Sequence, residues 1–178
     1  MQSSASPLLK SRGISSSLYD DLVLYTKYPS AAYSLICPSP LGNTLVQFFL
    51  VDSMQGFIAR DDTRKEIVLS FRGIASIADT ITLYYLNTDR IKENSHVHAG
   101  FLAAYNSVAD DVLATVQSQV ANYPDYSTVV TGHSLGRALA ALGAPCIKTA
   151  QPNVPMKLYT FGEFPSHDHC PLIYKLRL

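Results

Sequence analysis

Residues 129–141, V-V-T-G-H-S-L-G-R-A-L-A-A, constrain the fold of this chain more than any other stretch. They contain the pattern G-x-S-x-G at Gly132, Ser134 and Gly136, after two apolar residues and before a run rich in alanine and leucine. This order predicts a buried strand, a sharp turn and a helix, with the Ser134 hydroxyl exposed on the turn. Glycines suit the flanking positions because a Cβ there would collide with neighbouring backbone.

The pattern has two interpretations. G-x-S-x-G fixes three positions, so a coincidental strand-to-helix turn accounts for it in many chains. The apolar run before it and the small-residue helix after it favour a serine nucleophile. A helix that begins at such a serine directs its free N–H groups and the positive end of its dipole at any negative charge formed there. The Leu135 N–H is therefore a candidate oxyanion donor.

Composition limits the classes of protein that remain. The chain has 178 residues, 47% of them hydrophobic, which predicts one domain with a substantial core. Fourteen basic and 14 acidic side chains give zero net charge without a basic run, which argues against nucleic acid as a partner. No stretch has the roughly 18 apolar residues of a membrane span. Residues 1–14 are expected to be a flexible leader without the apolar core of a secretory signal.

The N-terminal part predicts a helix followed by strands. The helix is expected to begin with Ser17 as its cap and with Asp20 and Asp21 in the first turn. It should break or kink near Pro29 and then continue to Cys37. Strands rich in β-branched and aromatic residues are expected at 44–51, 56–60 and 66–72, with a turn at 61–64.

The remainder alternates between helix and strand. Apolar residues spaced three and four apart over 97–122 predict a helix with one buried face. The nucleophile strand and a helix to about residue 150 follow, and then a strand at 156–162. Such alternation predicts an α/β fold with parallel strands. Residues 74–96 lack a clean period and predict either a loop or short helix over the site or a plain crossover connection.

Five segments resemble the fungal class 3 lipases and the related feruloyl esterases, in that family's order. They are I-A-R-D-D-T-R-K-E-I-V-L-S-F-R-G at 58–73, V-H-A-G-F-L-A-A-Y at 97–105, Y-P-D-Y at 123–126, T-G-H-S-L-G at 131–136 and L-Y-T-F-G-E at 158–163. The resemblance implies an α/β-hydrolase fold, with a mostly parallel central sheet, helices on both faces and the last strands missing. It implies a truncated domain at 15–163 and a divergent tail at 164–178.

The resemblance also implies a chemistry. Ser134 would be the nucleophile of an ester hydrolase, and the backbone N–H groups of Leu135 and Ile74 would form the oxyanion hole. The expected substrate is a lipid or other carboxylic ester, met at a lipid–water interface, with no cofactor. Secretion is implied by the family.

The catalytic acid and base are the main departure from the family. In α/β-hydrolases they follow the serine in the order acid, then histidine. After Gly162 the family's usual continuation is replaced by a different tail, which suggests a truncated or altered gene model. Asp168 with His167 or His169 is a weak substitute, because a histidine beside its own aspartate would have to bend back to reach both carboxylate and serine.

Other positions also depart from the family. Ile74 and Leu83 stand where a hydroxyl and the aspartate that anchors it are usual, so only the backbone donor of Ile74 would remain. Arg137 replaces a glycine after G-H-S-L-G, where its side chain would crowd the elbow or extend to solvent.

The histidines and cysteines do not indicate a metal site. His96 and His98 form H-x-H without an accompanying carboxylate or cysteine pattern, so a structural role for His98 behind the elbow is favoured over metal binding. Cys37 is expected to be a free thiol, because its family partner is absent. Cys146 is expected to be a small core residue.

Two functions therefore remain. The first is a serine ester hydrolase of the lipase type, impaired because the catalytic aspartate and histidine are missing. The second is a catalytically dead lipase-like module that at most binds lipid surfaces through residues 74–96. Reaction of Ser134 with a fluorophosphonate separates them, since it requires an activated hydroxyl.

Overall fold

The computed structural model describes residues 14–34, 37–51, 54–73, 88–92 and 95–162, and gives only the backbone for 88–92 and 95–100. In chain order the elements are α1 (Ser16–Ala31), β1 (Thr44–Val51), β2 (Met54–Asp61), β3 (Glu66–Phe71), β4 (Thr88–Lys92), β5 (Ser95–His98), α2 (Ala99–Asn122), β6 (Ser127–His133), α3 (Leu135–Ala150) and β7 (Met156–Phe161). A short 3₁₀ turn, Pro40–Gly42, precedes β1.

The central sheet of the described residues has five strands in the order β1-β2-β3-β6-β7. The first two pairings are antiparallel, and β3–β6 and β6–β7 are parallel. The tight 62–65 turn explains the β2–β3 hairpin, since an Asp61 carboxylate oxygen accepts the N–H groups of Thr63 and Arg64 at 3.0 and 2.9 Å. The predicted α/β-hydrolase fold is confirmed.

Helices cover both faces of this sheet. Neighbouring residues of β6 alternate between the two sides: Val129 packs with Tyr25 and Tyr28 of α1, and Val130 packs with the core formed by α2 and α3. Two neighbouring residues of one strand pack into different cores, because successive side chains point to opposite faces of the sheet. This burial explains the continuous apolar runs of β3 and β6.

Helix α1 differs from the sequence prediction at both ends. Ser15, not Ser17, is the cap, and its hydroxyl accepts the Leu18 N–H at 3.2 Å. Because the helix starts earlier, Asp20 and Asp21 lie beyond the first turn. The helix ends at Ala31, two residues after Pro29, rather than at Cys37. Beyond Ala32 the backbone N–H groups of Tyr33 and Ser34 bond to carbonyls three residues earlier instead of four, and this tighter turn closes the helix.

Helix α2 confirms the predicted apolar face. Tyr105, Val108, Val112 and Val116 are buried, with the residues at either end of the face partly buried against the same core. The 74–96 prediction was wrong in part. Residues 88–92 and 95–98 form a two-stranded antiparallel hairpin instead of a loop or helix, whereas 74–87 lie outside the described residues, as do 1–13 of the expected leader.

A partly buried ionic network ties α1 to the sheet at the end opposite Ser134. The Tyr25 hydroxyl donates to the Glu66 carboxylate at 2.7 Å, and the Arg64 guanidinium bridges Glu66 and Asp21 at 3.3 and 2.8 Å. The Tyr159 hydroxyl on β7 donates to Asp21 at 3.1 Å. Burial first, and the hydrogen bond to Glu66 second, raise the pKa of Tyr25. The network thus depends on neutral phenols.

Alkaline pH is expected to weaken this attachment. Burial, followed by the bond to Asp21, raises the pKa of Tyr159 from 10.0 to about 12. The folded chain therefore retains a proton that the unfolded chain loses above about pH 10, so the free energy of unfolding should fall between about pH 10 and pH 12. Urea unfolding across this range measures the fall. The fall in the free energy of unfolding should be smaller in Tyr159→Phe and unchanged in Tyr19→Phe, which alters an exposed tyrosine. Equal falls in both variants would contradict the coupling between Tyr159 ionisation and stability.

No helix in the described part of the chain combines the length and apolar character needed to cross a membrane.

Candidate active site

Ser134 lies on the turn between β6 and α3, as the motif predicts. Its backbone has φ 55° and ψ −120°, a conformation that residues other than glycine adopt at a cost of about 1–3 kcal/mol. The turn is retained because the strand, the helix and a bond from the Ser134 N–H to the Phe161 carbonyl, at 3.0 Å, fix it from three directions. This strained bend presents the Ser134 side chain at the end of the parallel strands.

The two motif glycines have the predicted steric role. A Cβ on Gly132 would overlap the backbone carbonyl of Gly136. A Cβ on Gly136 would overlap the carbonyl of Phe71 and lie 2.5 Å from that of Arg72. Helix α3 therefore packs directly on the ends of β6 and β3, and no larger residue fits at either position.

The end of β3 adjoins Ser134. In the parallel β3–β6 register Phe71 is paired with Gly132, so the chain that follows β3 runs beside Ser134. A Cβ on Gly73 would lie 3.0 Å from the Ser134 Cβ. Ile74, the predicted second oxyanion donor, follows immediately but lies outside the described residues. Leu135 is the first residue of α3, where an N–H has no acceptor within the helix.

His133, next to Ser134 in sequence, contacts a residue that sequence analysis did not identify as part of the site. The Tyr33 hydroxyl lies 3.0 Å from His133 Nδ1, and the two rings meet edge to face. Together with Thr26 and Ser30 they line a cavity of about 250 Å³. No signal in the sequence pairs these residues, because Tyr33 lies just beyond α1, 100 positions before His133.

The structure does not describe the side chains of several predicted site residues. Asp168, His167 and His169 lie outside the described residues. The backbone of His96 and His98 belongs to β5, and their side chains are not described. In the described ranges, no group of three or more metal-binding side chains converges.

The cysteine and arginine predictions have mixed outcomes. Cys37 is a free thiol. Cys146 was expected in the core, which is wrong, because the residue is exposed. The Arg137 N–H donates to the Ser134 carbonyl at 3.1 Å, and its side chain is partly exposed, so the elbow accommodates it.

Ser134→Gly is expected to stabilise the fold while removing the reactive hydroxyl. Glycine relieves the positive-φ strain but adds entropy to the unfolded chain, which leaves a net gain of about 1 kcal/mol. Urea unfolding of wild type, Ser134→Gly and Ser134→Ala measures this gain. Alanine is the control, because it removes the hydroxyl but keeps the backbone strain. A glycine variant no more stable than the alanine variant would mean that the bend stores no strain.

The arrangement is suited to nucleophilic attack on a carbonyl group. A hydroxyl stands at the positive end of a 16-residue helix, with the turn after β3 at its side. Such a hydroxyl still requires a base within hydrogen-bond reach. Within the parts of the chain described with side chains, no carboxylate–imidazole pair occupies that position.

Comparisons with known proteins agree with this geometry. A model of the lipase (class 3) family matches residues 68–168, more than half of the chain. A lipase of Rhizopus niveus is 32% identical over 160 residues, covering 78% of this chain and 41% of the relative. The secreted mono- and diacylglycerol lipase 1 of Fusarium solani is 37% identical over 108 residues, covering 60% of this chain and 32% of the relative.

A solved structure shares the fold. The triacylglyceride lipase of Rhizomucor miehei superimposes with a TM-score of 0.74 at 28% identity, covering 84% of this chain and 63% of that one. The chain thus spans less than two thirds of the length of each of these relatives. The matched family segment includes the buried strand β6, the strained turn at Ser134 and helix α3. The chain belongs to the class 3 lipase family.

Proposed function

We propose that this chain carries the nucleophile and oxyanion part of a serine hydrolase that cleaves carboxylic esters of lipids. The observation that supports this most directly is the strained turn at Ser134, which places a hydroxyl between the start of α3 and the turn after β3. Strain of this kind persists where surrounding structure enforces it, and it is concentrated at functional sites.

Each group has a defined role in the proposed reaction. The Ser134 Oγ attacks the acyl carbon, a new O–C bond forms, and the carbonyl π electrons move to the oxygen. The N–H groups of Leu135 and Ile74 stabilise that oxyanion. A base accepts the hydroxyl proton and passes it to the departing alcohol as the ester bond breaks. Water then hydrolyses the acyl-enzyme and restores Ser134.

The base is the weak point of the 178-residue polypeptide. Asp168 and His169 are the candidates for acid and base in the tail, and their adjacency in sequence fits the required geometry poorly. We therefore propose that this polypeptide by itself turns over slowly. Of the alternatives, the impaired hydrolase is preferred to a dead binding module, because a module without chemistry has no use for the strain at Ser134.

The substrate class follows from the relatives. Of those compared, one is named as a secreted mono- and diacylglycerol lipase and one as a triacylglyceride lipase. We propose an acylglycerol ester, met at a lipid–water interface outside the cell, as the substrate type. No cofactor has a role in this scheme.

Hydrolysis of p-nitrophenyl butyrate tests the proposal. The wild-type chain should release p-nitrophenol slowly but above background, and Ser134→Ala should release none above background. A reduced rate in Asp168→Asn and His169→Ala would assign the tail a part in proton transfer. A wild-type rate that Ser134→Ala leaves unchanged would refute the function.

A further inference from the structure

We propose that the cavity beside Ser134 binds the alcohol part of the ester through a free hydroxyl group, so that mono- and diacylglycerols are the preferred substrates. The inference rests on the proposed function, because it assigns a place to one half of the ester that Ser134 would attack. The cavity has a volume of about 250 Å³ and is lined by Thr26, Ser30, Tyr33 and His133. At roughly 30 Å³ for each water molecule it has room for about eight of them, which is sufficient for a glyceryl group.

The cavity lies directly beside the Ser134 side chain. His133 ends β6 immediately before Ser134, and its Nδ1 lies 3.0 Å from the Tyr33 hydroxyl. A Cβ on Gly73 would collide with that hydroxyl and lie 3.0 Å from the Ser134 Cβ. The Tyr33 hydroxyl and the Ser134 side chain therefore border the same gap, which glycine leaves open. An ester attacked by Ser134 can place its alcohol part in this cavity.

Tyr33 is held in place by the sheet before any substrate binds. The carbonyl of the next residue, Ser34, accepts a hydrogen bond from the Gln55 amide nitrogen at 2.5 Å. Gln55 is buried in β2, and its side-chain oxygen accepts a hydrogen bond from Arg72 Nη1 at 2.5 Å. Both ends of the amide are engaged, so the chain beyond α1 is fixed against the sheet. A polar group that is already positioned binds a ligand with little further loss of conformational freedom.

Thr26 requires a ligand that can donate a hydrogen bond. Its hydroxyl donates its hydrogen to the Leu22 carbonyl at 2.6 Å, so towards a ligand it can only accept. An ester oxygen has no hydrogen to offer, whereas an alcohol has one. The Thr26 wall of the cavity therefore favours a free hydroxyl over an esterified one.

The bond between Tyr33 and His133 favours the same kind of ligand. Either atom of this bond can be the donor, depending on which ring nitrogen of His133 holds the proton. A ligand hydroxyl both donates and accepts, so it pairs with Tyr33 in either state, whereas a carbonyl oxygen pairs in only one. The Ser30 hydroxyl, also on the cavity wall, can donate and accept in the same way.

The charge and polarity of the lining exclude the other parts of a lipid. None of the four lining residues is a carboxylate, an ammonium or a guanidinium group, so a phosphate or a fatty-acid carboxylate would lack a charged partner. An acyl chain would leave the hydroxyls without a ligand partner. A triacylglycerol carries an acyl chain on every glycerol oxygen, whereas mono- and diacylglycerols keep at least one hydroxyl. A site that pairs with a ligand hydroxyl discriminates against the analogue without it.

Two esters that differ only in free hydroxyl groups test the cavity. Glyceryl monobutyrate and propyl butyrate both release butyrate from a three-carbon alcohol, and imidazole added to both assays supplies a base. We expect kcat/KM of wild type to favour glyceryl monobutyrate. The ratio of the two values should fall about threefold to tenfold in Tyr33→Phe and in Thr26→Val, as the loss of one neutral hydrogen bond predicts.

Tyr126→Phe is the matched control. The Tyr126 hydroxyl also bonds to a side chain, Asp62 at 2.8 Å, but it lies just before β6, at the other end of that strand from His133. Its removal takes away one phenol hydroxyl without touching the cavity. The ratio of kcat/KM for the two esters in Tyr126→Phe should match that of wild type.

A titration followed by NMR keeps the test independent of turnover. In Ser134→Ala carrying ¹⁵N-labelled histidine, the ring signals of His133 are assigned by their loss in His133→Gln. We expect these signals to shift on addition of glyceryl monobutyrate and to respond less to propyl butyrate at equal concentration. Adding Tyr33→Phe should raise the Kd for glyceryl monobutyrate about threefold to tenfold.

The outcomes separate the two proposals. A wild type without Ser134-dependent hydrolysis in the presence of imidazole defeats the proposed function, and the titration then decides on the cavity. Equal responses of His133 to the two esters overturn the cavity as an alcohol site. So does a ratio of kcat/KM that Tyr33→Phe and Thr26→Val both leave at the wild-type value. A titration that is selective for glyceryl monobutyrate and weaker in Tyr33→Phe supports it.

Discussion

Imidazole is expected to accelerate the Ser134-dependent hydrolysis of p-nitrophenyl butyrate by about tenfold or more. A positioned base contributes about a hundredfold to ten-thousandfold, and a diffusible base recovers part of it. His133 is the one histidine in the described residues whose side chain is placed, and its Nδ1 is engaged with the Tyr33 hydroxyl at 3.0 Å. Among the residues described with side chains, none is placed as a base for the Ser134 hydroxyl, so under the proposed function an added base should raise the rate.

Ser134→Ala provides the control, because imidazole itself hydrolyses activated esters. The difference between wild type and Ser134→Ala, measured over a range of imidazole concentrations, isolates the enzymic part. A high wild-type rate that imidazole does not raise and that His169→Ala abolishes would contradict the account. It would assign the base to the tail.

Gly132→Ala is expected to destabilise the fold by about 3 kcal/mol or more, at or beyond the upper range for overpacking in a core. The added methyl group would overlap the backbone carbonyl of Gly136 in the first turn of α3. Neither β6, an interior strand paired with β3 on one side and β7 on the other, nor α3, which packs on the ends of β3 and β6, can move away without loss of other contacts. Urea unfolding at neutral pH measures the change.

Gly143→Ala is the matched control on the same helix. Its new methyl group would lie 3.2 Å from the Tyr105 ring, a side chain that can shift, and alanine favours helix over glycine by about 1 kcal/mol. We expect a change within about 1 kcal/mol of wild type, in either direction. Equal stability of both variants would show that the helix and strand are not in direct backbone contact.

The sequence predicts those features whose causes are local. Strand β1 and the ends of α2 and α3 follow from residue patterns and terminating prolines, and the turn at Ser134 from glycines that close packing requires. Ser17 was mistaken for the cap of α1, because several serines in succession offer equivalent hydroxyls and only the structure selects Ser15. The hairpin at 88–98 was missed because its strands lack a clean apolar alternation.

The long-range contacts at the site could not be predicted from the sequence. The bonds from Tyr33 to His133 and from Gln55 to Arg72 join residues 100 and 17 positions apart. Nothing in either neighbourhood indicates its partner, since tyrosine and glutamine are common at half-buried positions. The G-x-S-x-G motif and the resemblance identified Ser134, and the register of β3 on β6 explains why the turn after Arg72 lies beside it.

Locating the adduct of a fluorophosphonate by peptide mass spectrometry tests the central claim most directly. In this reaction the Ser134 oxygen bonds to phosphorus and fluoride departs, so the adduct reports an activated hydroxyl. We predict modification at Ser134 alone, slow without imidazole and faster with it. An unmodified Ser134 under both conditions, or equal modification of other serines, would contradict the assignment of Ser134 as the nucleophile.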